Sequence, residues 1–319
     1  IRSVLYWLQV RSVYHAIAVI TGSKGVRGMA IPSVVAIIRN TKLHAELHDL
    51  SSVSMDQCFS LCDALVYGKR VNAPDPALQP LIPIREDTFM LPSLTVASSN
   101  MQRNFLTLLA RIDPKAFDAA SHVFELAMIQ SITQTLAAQQ QWIYRDRFVI
   151  RSAASEGDID LIIADPTAKF ILVCELRWML APAELREVYN RERAVEEKVV
   201  QANRKAAIVR DHLATVLAQL DIMSHDLTIW RVEPVVIIAN FSGRGDSQTP
   251  TVEKRIFSIG AQRYTRLDDL YCWLESRDWL PVNGKHFTVE YHDYQLGPYA
   301  LAYPSVMLTE AGLAFLAQL

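Results

Sequence analysis

Two apolar runs, Ile159 to Ala164 and Phe170 to Leu176, constrain this chain more than any other stretch. They flank a short connection at Pro166 to Lys169 and read as two strands of one hairpin. Each run carries a carboxylate, Asp160 in the first and Glu175 in the second, where core packing alone would not put one. If the connection is four residues long, Asp165 pairs with Phe170 and Asp160 falls opposite Glu175. Directly opposed strand residues have Cβ atoms roughly 5 Å apart, within reach of a single divalent cation. Two ionised carboxylates that close repel unless something positive sits between them. Side chains alternate along a strand, so Glu175 and Arg177 face one side while Cys174 and Leu176 face the other.

The surroundings fit an α/β domain. Asp113-Pro114 opens a helix running to about Gln141, with Phe117, Phe124, Met128, Ile132 and Leu136 on one face. Arg147 to Arg151 is expected as a first strand ahead of the hairpin. Pro182 starts the longest helix, whose apolar positions 188, 195, 199, 202, 206, 209, 213, 216 and 220 keep helical spacing. Glu233 to Asn240 reads as a buried strand, followed by a polar loop over 242 to 250. Phe257 to Gly260 is expected as a further strand and Leu267 to Ser276 as a helix. This order predicts a mixed sheet with helices on both faces.

Upstream, residues 1–71 read as a mainly helical N-terminal region. Glycines 22, 25 and 28 make a break, a helix is expected over Ser33 to Asn40, and Ser54 caps a helix bearing Cys58, Leu61, Cys62 and Leu65. Prolines 74, 76, 80, 83 and 92 suggest a linker over 72–99. The helix at Asn100 to Arg111 then opens a core spanning 100–285, and 286–319 reads as an extended segment with a short C-terminal helix.

The net charge of −2 gives no global basic field, so a nucleic-acid partner would need a local patch. Four irregularly spaced cysteines make no disulfide framework, and a reducing cytoplasm is the expected compartment. No apolar stretch reaches the length of a membrane span without charge, so no membrane partner is expected. No signal peptide is expected in the opening segment. The chain opens on Ile1 rather than Met, so upstream sequence is expected.

The motif string resembles the PD-(D/E)XK nuclease superfamily, and most of all its nuclease-related (NERD-type) and Mrr-like branches. The matching residues are Gly157, Asp160, Glu175, Trp178 and Gln201, over about half the chain, residues 115 to 275. The resemblance implies a restriction-endonuclease-like core and a metal-dependent nuclease cutting phosphodiester bonds, with DNA as the expected substrate. It implies Mg²⁺ or Mn²⁺ held by Asp160, Glu175 and the Leu176 carbonyl. Glu125, on the helix before the first strand, stands where the superfamily often adds an acidic metal ligand, and Gln201 matches its helical Gln.

Arg177 stands where the family has Lys. A guanidinium cannot take a proton from water, but it can dock a phosphate or offset charge on a phosphorane. The exchange leaves two outcomes open: an active enzyme, or an inactive module of the same fold that binds nucleic acid or assembles with protein. An unrelated α/β enzyme is a third reading, and oligomeric state is left open.

Further phosphate-contact candidates are Arg191, Arg193, Lys198, Arg204, Lys205 and Arg210 on the long helix, with Arg145, Arg147, Arg151 and Arg244 elsewhere. Glutamates 184, 187, 192, 196 and 197 interleave with the helix cations, as on a solvated salt-bridged face. His44, His48, Cys58 and Cys62 offer four zinc-type ligands, but without Cys-x-x-Cys spacing. Thr21 to Gly25 lacks the spacing of a phosphate-binding loop.

Overall fold

The computed structural model describes residues 5, 8–10, 12–13, 35–50, 54–150, 158–182, 185–241 and 248–318. The chain divides into two compact units, Ile1–Ala120 and Ser121–Leu319.

The first unit is built on strand β1 (Val35–Arg39), helices α1 (Asn40–Leu50) and α2 (Met55–Leu65), strands β2 (Ile82–Arg85) and β3 (Thr88–Pro92), and helices α3 (Ser93–Ser98) and α4 (Met101–Ile112). Its strands form an antiparallel sheet in the order β1-β3-β2. Ser54 starts α2 as expected. Its side chain accepts from the Gln57 amide while its own N–H donates back to the Gln57 side chain at 3.1 Å, a reciprocal cap. Cys58, Leu61, Cys62 and Leu65 then bury one face of α2.

Two expectations for this region are corrected. Val35–Arg39 is a strand and not part of a helix, because Ala36 and Ile38 alternate with an exposed Ile37 in period two. The proline-rich segment is no linker. Leu78, Leu81, Phe89, Leu91 and Val96 belong to the same core as Leu43, Leu47, Met101 and Leu108. Pro83 is tolerated because it lies on an edge strand, and Pro92 because it is the last residue of the central one. Helix α4 joins this core too, so the unit continues past residue 100, and its boundary falls inside helix α5 (Pro114–Leu136).

The second unit contains strands β4 (Ile143–Phe148), β5 (Ile159–Asp165) and β6 (Phe170–Trp178), helices α6 (Leu185–Asp211) and α7 (Leu213–Gln219), strands β7 (Arg231–Ala239) and β8 (Thr251–Glu253), and helices α8 (Lys254–Arg263) and α9 (Leu267–Ser276). The five-stranded sheet has the order β4-β5-β6-β7-β8. Strands β4, β5 and β6 run antiparallel, whereas β6, β7 and β8 are parallel. A parallel step needs a crossover, and α6 and α7 supply it between β6 and β7.

Both faces of this sheet are covered. Met128, Ile132 and Leu136 of α5, with Phe257 of α8 and Leu270 and Leu274 of α9, pack against Leu161, Ile163, Leu172, Cys174 and Leu176. On the other face Ala206 and Val209 of α6, with Val216 and Leu217 of α7, pack against Ile162, Ala164, Ile171 and Val173. The domain is thus α/β, a mixed sheet flanked by helices. Among the described residues no helix is long and apolar enough to cross a membrane.

Three further expectations shift. The first strand lies earlier, at Ile143–Phe148, and the long helix breaks at His212. Phe257 to Gly260 is helical, within α8. Most of the loop after β7, residues 242–247, lies outside the described residues. The C-terminal segment is extended and then helical as read, with strands β9 (Phe287–Leu296) and β10 (Tyr299–Leu308) in an antiparallel pair before helix α10 (Glu310–Gln318).

Candidate carboxylate and lysine site

The hairpin has the expected register. Asp165 pairs with Phe170 and Leu161 with Cys174, and one further step sets Asp160 across from Glu175. Both carboxylates face the α6 side of the sheet, in phase with Ile162, Ala164, Ile171 and Val173. At this step a side chain replaces the backbone acceptor. The Leu176 N–H donates to Asp160 Oδ2 at 2.8 Å, which fixes the Asp160 carboxylate against the last paired turn of β6.

Two lysines of α6 fill the space the sequence left for a cation. Lys198 Nζ lies 2.9 Å from Glu175 Oε2 and 3.6 Å from Asp160 Oδ2. Lys205 Nζ donates to Glu175 Oε1 and, at 2.5 Å, to the Asp158 carbonyl. The four side chains form a graded cluster. Glu175 is wholly buried and Lys205 nearly so, while Lys198 and Asp160 are 18% and 25% exposed and form the mouth. Two negative and two positive charges balance, which is what allows a glutamate in a dry interior. Burial pulls the Lys198 ammonium down, but the facing Asp160 and Glu175 outweigh it and raise its pKa above the ordinary lysine value. On the opposite face, burial first and then the two carboxylates push the Cys174 thiol well above its usual range, so it stays protonated and inert.

The other sequence candidates are not gathered here. Arg177 leaves the carboxylate pair and donates to Glu125 Oε1 on α5 at 3.3 Å, with its side chain half exposed. Beside this ion pair Trp178 stacks on Phe124 with ring centroids 4.7 Å apart. Glu125 therefore neutralises an arginine and does not extend the acidic pair. Among the described residues no three His, Cys, Asp or Glu side chains gather into a metal-holding group. Gln201 sits partly exposed on the α6 stripe, one turn from each lysine.

Of the helix cations offered for phosphate, Lys198 and Lys205 turn inward, and Arg210 donates to the Val232 carbonyl and lies 3.6 Å from Glu233. Arg193 and Arg204 remain exposed. Arg145 lies 3.7 Å from Asp221, and Arg147, in the left-handed region at φ 46°, interrupts β4. Arg151, Arg244 and the Thr21 to Gly25 string lie outside the described residues.

The zinc alternative gains no support. Cys58 and Cys62 are core residues, and His44 packs on Phe59 with centroids 4.1 Å apart. Burial, then the neighbouring Cys58, pushes the Cys62 thiol up to about 12, far from the thiolate a metal needs.

The inward direction of the two lysines was not expected from the sequence. Their signal was present: Lys198 and Lys205 are seven residues apart and immediately precede Val199 and Ala206 on the apolar stripe. That spacing puts both on one border of the buried face. Comparison of the chain with known protein families, with characterised proteins and with solved structures returns no match.

Proposed function

We propose that this protein is a metal-dependent nuclease-like hydrolase of phosphodiester bonds, with DNA as the substrate and a restriction-endonuclease-like core. The single observation that carries this reading is the convergence of Asp160 and Glu175, from neighbouring strands, on one lysine, Lys198, with Asp160 at the partly exposed edge of the cluster. The element order adds support: helix α5, three antiparallel strands, helix α6 and a parallel strand. It agrees with the motif letters at Gly157, Asp160, Glu175 and Gln201.

The donor set fits a hard divalent cation such as Mg²⁺ or Mn²⁺, which prefers oxygen ligands. Asp160 Oδ2 accepts from the Leu176 N–H, and the side chain is 25% exposed, which leaves the carboxylate within reach of an ion from solvent. The N–H and C=O of one strand residue leave by the same edge, so the Leu176 carbonyl faces the same gap. Glu175 Oε2 completes the set once Lys198 releases it. When bound, the ion supplies Lewis-acid polarisation of a phosphoryl oxygen and activation of water.

The remaining roles belong to side chains of the chain. Lys198, next to both acids, offsets charge building on the phosphorane, the task expected of Arg177. Lys205 holds Glu175 in its buried pose. Arg177, half exposed beside Glu125, is placed to dock a neighbouring phosphate. The proposed location is the cytoplasm, where four unpaired cysteines would stay reduced.

One observation favours a second reading, an inactive module of the same fold that binds nucleic acid or protein. Glu175 is wholly buried and each of its oxygens already accepts from an ammonium. The test is cleavage of plasmid DNA and of RNA in Mg²⁺ and in Mn²⁺, with Asp160→Asn and Glu175→Gln as comparators and circular dichroism to verify folding. Cleavage by wild type that falls at least 100-fold in both variants is the expected result. Undiminished cleavage in Asp160→Asn would dismiss the site. No cleavage in either ion, with DNA affinity indifferent to EDTA, would establish the inactive module.

A further inference from the structure

Lys198 and Lys205 touch the same carboxylate but are held differently. Lys205 is clamped by two acceptors, Glu175 Oε1 and the Asp158 carbonyl, and its side chain is 10% exposed. Lys198 spans the two acids at the mouth, with one contact at 2.9 Å and the other at 3.6 Å. It is a long, flexible side chain whose stem can reach solvent without unpacking the helix. An ammonium between Asp160 and Glu175 repels a second cation entering the same few ångströms, and that repulsion is least screened where the surroundings are buried.

From this we infer that Lys198 is the resident counter-cation of the pocket, and that its ammonium and a divalent ion are alternative occupants of the space between Asp160 and Glu175. The inference rests on the metal-dependent reading given above and adds its regulation. Lys205 is the permanent partner that holds Glu175 in place. Lys198 is the exchangeable one. It sets the divalent-ion concentration at which the pocket fills, and once displaced from the acids it is released toward the mouth, where a phosphate would lie.

Removing the Lys198 charge leaves Asp160, Glu175 and Lys205 with a net charge of −1 instead of zero, so the pocket should take a divalent ion more readily. The experiment is a Mn²⁺ titration of the full chain at fixed ionic strength, following loss of the free-Mn²⁺ electron paramagnetic resonance signal. Wild type, Lys198→Met, Lys198→Gln and the Asp160→Asn/Lys198→Met double variant are compared. The expected result is a Kd at least tenfold lower in both single Lys198 variants, with that gain lost when Asp160 is also neutralised.

Equal or weaker Mn²⁺ binding in the Lys198 variants overturns the inference, as does a gain that survives Asp160→Asn. Failure of both single variants to fold also overturns it, because Lys205 alone must suffice to hold Glu175. The two readings separate cleanly. Tightened Mn²⁺ binding in a protein that never cuts nucleic acid removes the hydrolase and leaves the exchange. Cleavage by wild type with unchanged Mn²⁺ affinity in the variants removes the exchange and leaves the hydrolase.

Discussion

At the scale of single residues, one hairpin carries three buried or half-buried carboxylates with different tasks. Asp160 and Glu175 face lysines, whereas Asp165, 1% exposed, accepts hydrogen bonds from backbone amides. Its Oδ1 accepts from the Thr167 and Ala168 amides at 2.9 and 3.0 Å, closing the turn, and its Oδ2 accepts from the Leu267 amide at the start of α9 at 3.1 Å. One side chain therefore ties the hairpin register to the helix beneath it. Asp165→Ala leaves three amides without that acceptor. At about 1–3 kcal/mol for each buried group left unpaired, a loss of about 3 kcal/mol or more is expected in urea unfolding. A loss under about 1 kcal/mol would show that water replaces the carboxylate. The opposition of Asp160 and Glu175 was legible because register follows from turn length and a period of two. Their partners were not, since nothing local in Glu175 says which helix will lie over it.

At the scale of elements, reading succeeded where the periodic signal was long. Helices α2, α4, α5, α6 and α9 and strands β5, β6 and β7 all lie close to where their patterns put them. It failed on short segments. In α8 the short run Phe257 to Gly260 was expected as a strand, yet Phe257, Gly260 and Ala261 are buried at helical spacing against α9. Gly260 is what lets the two helices approach. A Cβ there would lie 2.5 Å from Trp273 Cζ3 and 2.6 Å from Leu270 Cδ1. Alanine is favoured over glycine inside a helix by about 1 kcal/mol, but overpacking a filled core costs about 1–3 kcal/mol, and a buried indole has little room to yield. Gly260→Ala is thus expected to lower the thermal midpoint by several degrees, and a raised midpoint would refute the close approach. The proline-rich segment failed for a related reason. Proline marks where a central strand cannot run, but it is silent about edge strands such as β2.

At the scale of the whole molecule, each unit has its own core, and the chemistry argued above lies in the second. Among the described residues the β9 and β10 pair has no third strand, which leaves its edges as an invitation to another strand. Pro304 sits midway along β10 opposite Tyr291, where its missing N–H must face the open side, since otherwise it would break the pairing. Restoring a donor with Pro304→Val is expected to increase self-association, measured as a concentration-dependent rise in sedimentation coefficient. An unchanged monomer fraction would mean that Glu290 and Asp293 on the other strand protect the pair without it. The second unit has one more consequence built into its seam. The Leu176 amide is answered by a side-chain acid of the opposite strand and not by that strand's backbone. A visitor that draws Asp160 Oδ2 away therefore plucks the stitch that closes β5 against β6, and the sheet itself becomes the instrument on which its arrival is heard.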